Sequence, residues 1–154
     1  MRISTGQADI PMHASAFGHA LSLMRGTLAL IFMAHAVVRL ANGSVPQFGV
    51  FLESRGFPSG AAWVLAISAC EIAGGLMLAF GIRVKWVCAL LACIVVTGIM
   101  LIHAQQGWFV GEHGTGGMEF SVLLCAALLV VACADTTHGS QSRRGGLVAH
   151  RDVG

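Results

Sequence analysis

Arg25, His35, Arg39, Glu71, His103 and Glu119 are polar side chains set in apolar stretches of this chain, where lipid-like neighbours are the rule. The chemistry open to such a set is acid–base and ligand-holding. A buried carboxylate changes its proton affinity with its surroundings, imidazoles titrate near neutral pH and pass protons, and guanidinium groups hold a carbonyl or carboxylate oxygen. Glu71 is the sharpest case. It stands in "SACEIAGGLMLAFG", residues 68–81, where nothing else is more polar than serine or cysteine. A carboxylate in hydrocarbon is costly, so Glu71 must be paired, protonated or turned toward a polar cavity.

Helical geometry suggests a partner. At 100° per residue, Arg25, His35 and Arg39 fall within an arc of about 80° on one helix, a basic stripe that should face protein rather than lipid. Glu71 shares its face with Ser68, Gly74, Gly75 and Leu78, and small residues there let another backbone come close. Counted from the cytoplasmic ends of the two helices, Arg25 lies ~10 Å deep and Glu71 ~15 Å, a difference that an arginine side chain bridges. The expected contact is therefore an Arg25–Glu71 ion pair. It serves either as a structural staple or as the wall of a cavity whose proton responds to a ligand, and the residues leave both open. Glu71 and His103 are the candidate catalytic, proton-handling residues. Arg25, His35, Arg39 and Glu119 are the candidate ligand-binding ones.

The elements that must position these groups are legible in composition. The 154-residue chain is 56% hydrophobic and only 10% charged, whereas soluble domains carry about a quarter charged residues, so water is not its main solvent. Apolar stretches at 18–41, 60–80, 84–104 and 116–134 are each near the ~20 residues that a helix needs to cross ~30 Å of hydrocarbon. Ala, Leu, Gly and Met dominate them, which favours helices over strands. The expected fold is all-α: an integral membrane four-helix bundle at 18–134, a cytoplasmic segment at 1–17 and a flexible cytoplasmic tail at 135–154. Lysine and arginine at Arg2, Arg83, Lys85, Arg143, Arg144 and Arg151 place both termini in the cytoplasm by the positive-inside rule. A cleaved signal peptide ending at "AHA", 34–36, is a rival reading, weakened by the long leader before Arg25.

In the first outer loop, Phe48, Phe51, Leu52 and Arg55 recur at helical spacing, which predicts a short amphipathic helix able to roof the bundle. Trp108 and Phe109 read as interfacial anchors, with a lid over a ligand as the second reading. The five cysteines lie in the apolar stretches with no C-x-x-C, indicating neither a disulfide framework nor a standard zinc site. His35 and His103, with Glu112 and His113, match no specific metal spacing, and no metal is expected. "AHA" at 34–36 and "IHA" at 102–104 form a slight internal echo, each closing an outward-going helix.

The order "LMRGTLALIFMAHAVVRL", "FGVFLESRGFPSG", "EIAGGLMLAFGIRVK" and "HAQQGWFVG…GGMEFSVLLCAALLV" resembles the DoxX family of four-helix bacterial membrane proteins over roughly residues 21–134. The resemblance rests on the arginine of the first helix, its His-x-x-x-Arg-Leu ending, the Glu-x-x-Gly-Gly of the second and the Gly-x-Glu opening of the fourth. Where the family usually reads His-Gly-x-x-Lys, this chain has Ala36 and Arg39, and "ADTTHGS" replaces a Gly-x-Gly after the last helix. By position, Arg25, His35, Arg39, Glu71, His103 and Glu119 match the family's recurrent polar sites.

What the resemblance implies is a bacterial inner-membrane subunit of a quinone-linked oxidoreductase, with quinone as the candidate cofactor. A redox protein or a second copy of the chain would be the partner. Two protons accompany the reduction of a quinone, and a buried carboxylate with histidines offers them a route. No flavin signature, Rossmann glycine motif or Cys-ligated cluster is visible, so electrons would come from elsewhere, and whether the chain counts as an enzyme at all is left open. The alternatives are a non-catalytic anchor or assembly factor for a soluble redox partner, and a small transporter. The bilayer is the expected environment, and no nucleic-acid partner is expected.

Overall fold

Breaks in the apolar pattern set the helix ends. The computed structural model describes residues 10–109 and 117–149, with side chains described over 16–109 and 117–135. Helix α1 (Ile10–Ala41) has Pro11 in its first turn, where the missing N–H costs nothing, and it ends at Asn42-Gly43, with Gly43 at φ +62°. A short α2 (Val45–Ser54), with proline in its first turn, leads to α3 (Gly60–Ala79). The turn to α4 (Val84–Leu101) is a Schellman closure: Ile82 N–H donates to Met77 O at 2.8 Å and Gly81 N–H to Leu78 O at 3.1 Å. Gly81 takes the left-handed φ of +71° that this closure requires. A single 3-10 turn at His103–Gln105 follows, and α5 (Glu119–Ala149) completes the fold.

The four long helices form a ring of contacts, α1 on α3, α3 on α4, α4 on α5 and α5 on α1, while α2 packs across α3. Leu28, Phe32, Leu78, Val87, Leu91, Leu128 and Val131 fill the centre. Outward faces are apolar as well: Leu23, Leu30, Met100, Leu123 and Leu129 are each more than three-fifths exposed. Such a surface is tolerated in lipid and not in water. The segments Ala16–Ala41, Gly60–Ala79 and Val84–Gln105 are long and apolar enough to cross a membrane. No strand occurs among the described residues.

Two boundaries differ from expectation. Helix α1 begins at Ile10 rather than near residue 18, and α5 runs on to Ala149, so residues 135–149 are helical rather than a flexible tail. No proline breaks either extension: Pro11 falls where proline is accepted, and none follows Pro58. Residues 1–9 and 150–154 lie outside the described residues, as do Glu112 and His113.

Candidate functional site

Glycine sets the register of α1 against α3. An added Cβ at Gly75 would stand 2.6 Å from Met33 Cγ and 3.1 Å from Ala29 O, and one at Gly81 would stand 3.1 Å from Arg25 Nη1. Residues 29–33 are thus level with Gly75, and Arg25 is level with the α3–α4 turn. Because the helices run antiparallel, moving four residues from Gly75 to Glu71 brings α1 to the neighbourhood of His35. Arg25 is then about ten residues, or ~15 Å, away along the axis, beyond the reach of its side chain, whereas Arg39 is about one turn away.

The ion pair accordingly forms between Arg39 and Glu71, which corrects the expected Arg25–Glu71 contact. Arg39 Nη1 donates to Glu71 Oε2 at 2.8 Å and to Ser68 Oγ at 2.8 Å, and Ser68 Oγ in turn donates to Val64 O at 2.9 Å. The side chains are 16% and 5% exposed, so the pair is largely removed from solvent. Counting depth from the helix ends failed because α1 starts eight residues earlier than its apolar pattern does, which removes the common origin for the two depths.

The pair closes one side of a cavity of about 540 Å³, within the range typical of small-molecule sites. All four long helices and α2 contribute walls. Polar groups are sparse: Arg39, Glu71, His35, His103, Thr97 and Ser121 stand among apolar residues such as Phe32, Ile67, Ile94 and Leu124. His103 Nδ1 is buried and has no hydrogen-bond partner. An imidazole nitrogen left in that state is costly unless a ligand or ordered water meets it.

Helix α2 roofs this space, as its amphipathic spacing predicted. Phe48 and Leu52 line the cavity, Phe48 stacks on Phe51 with centroids 5.9 Å apart, and the Arg39 guanidinium lies 5.6 Å from the Phe48 ring centre. Glu53 fixes α2 to α3 by accepting the Gly60 N–H at 3.0 Å, and Gly60 must be glycine because a Cβ there would overlap the Gly49 carbonyl. Arg55 points elsewhere, to Gln105 Oε1 at 3.1 Å.

Part of the cavity's exposed rim lies along α3 and α4, with His35 of α1 and Phe120 of α5 exposed elsewhere on it. Near their turn the two helices are in close contact, since a Cβ on Gly74 would meet Leu91 and Val87 at 3.3 and 3.5 Å. Toward the α2 end, Trp63 and Ile67 of α3 and Cys93 and Thr97 of α4 line the cavity instead, and Trp63, Cys93 and Thr97 are exposed on the outer surface. That side of the cavity borders the face that lipid would cover.

Of the six expected site residues, His35, Arg39, Glu71 and His103 therefore converge on one cavity. Arg25 lies at the other end of the bundle, and Glu119 opens α5 without lining the cavity, its N–H donating to Trp108 O at 3.1 Å. Thr97 and Ser121 were missed in sequence; the signal was a lone hydroxyl in an apolar helix, as at Ser68. Among the described residues no group of three or more His, Cys, Asp or Glu side chains is placed to share a metal ion. Trp108 and Phe109 are exposed, and backbone hydrogen bonds from Met118 to Gly107 and from Glu119 to Trp108 pinch their loop at its base.

The family whose model matches the chain is DoxX, over residues 20–104. That stretch holds Arg39, Glu71, both cavity histidines and the whole of α2. No curated protein and no solved structure matches the chain.

Proposed function

The chain belongs to the DoxX family of membrane proteins, and from that premise we propose that its cavity holds the head group of a membrane quinone, as a subunit of a quinone-linked oxidoreductase of the bacterial inner membrane. The observation that carries this reading is the combination of apolar walls with a few convergent polar groups, one of them the unpartnered His103 Nδ1. A ring bearing carbonyl oxygens and an isoprenoid tail suits that lining, with the tail leaving between α3 and α4 past Trp63 and Thr97 into the bilayer.

Bound there, a quinone supplies two-electron chemistry coupled to two protons, with electrons delivered by a separate redox protein. The chain's own residues would manage position and protons. His103 would donate an N–H from Nδ1 to a carbonyl oxygen of the ring. Arg39, which donates to Glu71 and Ser68, holds the carboxylate in place beside the cavity, and Glu71 and His35 are the groups that would pass protons to and from the ring. Both termini would face the cytoplasm, which puts the cavity at the outer half of the membrane.

Trp63 lies in the cavity wall and reports on the ligand. A short-tailed quinone analogue added to the protein in nanodiscs is expected to quench tryptophan fluorescence saturably, with quenching reduced in Trp63→Phe and affinity lowered about tenfold in His103→Phe, the loss of one hydrogen bond to a buried polar partner. Linear, non-saturable quenching identical in all three proteins would reject the quinone site. It would favour the non-catalytic anchor, in which the Arg39–Glu71–Ser68 network serves packing alone.

A further inference from the structure

Arg25 is left without a task by the cavity, and its surroundings pose a physical problem. Its Nε is buried with no hydrogen-bond partner, and no acceptor or carboxylate among the described residues engages the rest of the guanidinium. The group is instead pressed against the α3–α4 turn, with Nη1 3.1 Å and Cζ 3.5 Å from where a Gly81 Cβ would be. A guanidinium carries five donors and a permanent charge, so a recessed Nε without a partner favours an acceptor from outside the described residues.

The neighbourhood defines what that acceptor is. Two residues beyond Gly81 comes Arg83, and two further Lys85, both exposed, so the turn presents cations alone. Around them Phe80, Ile82 and Trp86 are 76%, 49% and 70% exposed, an apolar and aromatic collar of the kind that sits at a membrane–water boundary. Cations at the headgroup level, with an apolar collar reaching toward the acyl chains, fit an anion that is itself anchored in lipid.

We infer that Arg25, Arg83 and Lys85 form a binding site for the phosphate of an anionic phospholipid at the α3–α4 turn. Arg25 supplies the recessed donors that fork onto phosphate oxygens, while Arg83 and Lys85 add charge at the rim. The site is separate from the cavity and independent of the quinone reading. Gly81, at φ +71°, also leaves room for the Arg25 guanidinium, since a side chain there would crowd it by a few tenths of an ångström.

The test uses the full-length protein in a neutral detergent, with phosphatidylglycerol, phosphatidylcholine and inorganic phosphate as probes and native mass spectrometry to count retained lipid. Each cation near an anionic headgroup is worth about a fivefold change in affinity. Wild type is expected to retain phosphatidylglycerol over phosphatidylcholine, Arg25→Gln and Arg83→Gln each to lose about fivefold in that preference, and Arg55→Gln, at the opposite end, to lose none. Arg83 is exposed, so its variant keeps the test valid if Arg25→Gln fails to fold. Equal retention of both lipids, or a preference unchanged in Arg25→Gln and Arg83→Gln, would overturn the site. Displacement of phosphatidylglycerol by millimolar inorganic phosphate would overturn its assignment to a lipid.

Discussion

The Arg39–Glu71 pair is the contact on which the register of the first two spans can be weighed. Arg39→Ala leaves a carboxylate that is 5% exposed without its cation, and Glu71→Ala leaves a guanidinium that is 16% exposed without its anion. Orphaning one member of a buried pair costs about 3–5 kcal/mol, and the partial exposure of Arg39 puts Glu71→Ala at the lower end of that range. The double replacement removes the desolvated charges together, so its cost should stay close to that of either single change, at about 3–4 kcal/mol. The coupling in a double-mutant cycle is then about 3–4 kcal/mol, roughly the cost of one single change. Arg25 and Glu71, separated by ~15 Å along the helices, should instead be additive within about 0.5 kcal/mol. Equilibrium unfolding in mixed micelles measures all five variants and wild type. Additive losses for Arg39 and Glu71, or strong coupling between Arg25 and Glu71, would refute the register read from Gly75 and Gly81.

Two further outcomes follow from the packing. Gly75→Ala should destabilise by about 1–2 kcal/mol, because the clash with Met33 and the Ala29 carbonyl outweighs the gain in helix propensity; the same change should cost less in a Met33→Ala background, read by the same unfolding assay. A lipid-soluble maleimide should label the exposed Cys93 and Cys133 but spare Cys88, which is 2% exposed, and a bound quinone analogue should protect Cys93 while leaving Cys133 reactive. Equal protection of both thiols, followed by peptide mass spectrometry, would argue against a ligand in the cavity.

Much of the fold could be read from composition, because lipid imposes length and hydropathy on a spanning helix and little else competes with that signal. The amphipathic α2 was equally legible from Phe48, Phe51, Leu52 and Arg55. So was the requirement that Glu71 meet a buried guanidinium from the first span. Which arginine answers it was not legible, since Arg25 and Arg39 share a face of α1 and only the longitudinal register separates them. That register is set by backbone approach at Gly75, a three-dimensional fit that periodicity does not encode. The helical ends were misplaced for a related reason: α1 and α5 extend past their apolar stretches, where only helix propagation, and no hydropathy signal, holds the chain.

The central claim, that a quinone head group occupies the space under α2, is tested most directly by a photoreactive quinone analogue carried in the bilayer, with the cross-linked peptides mapped. Cross-links should concentrate on residues 93–103, the end of α4 and the turn after it, and around Phe120 to Leu124, compete away with unlabelled quinone, and fall sharply in His103→Phe. Cross-links spread over lipid-facing Leu23, Leu30 and Leu129 without competition would contradict it.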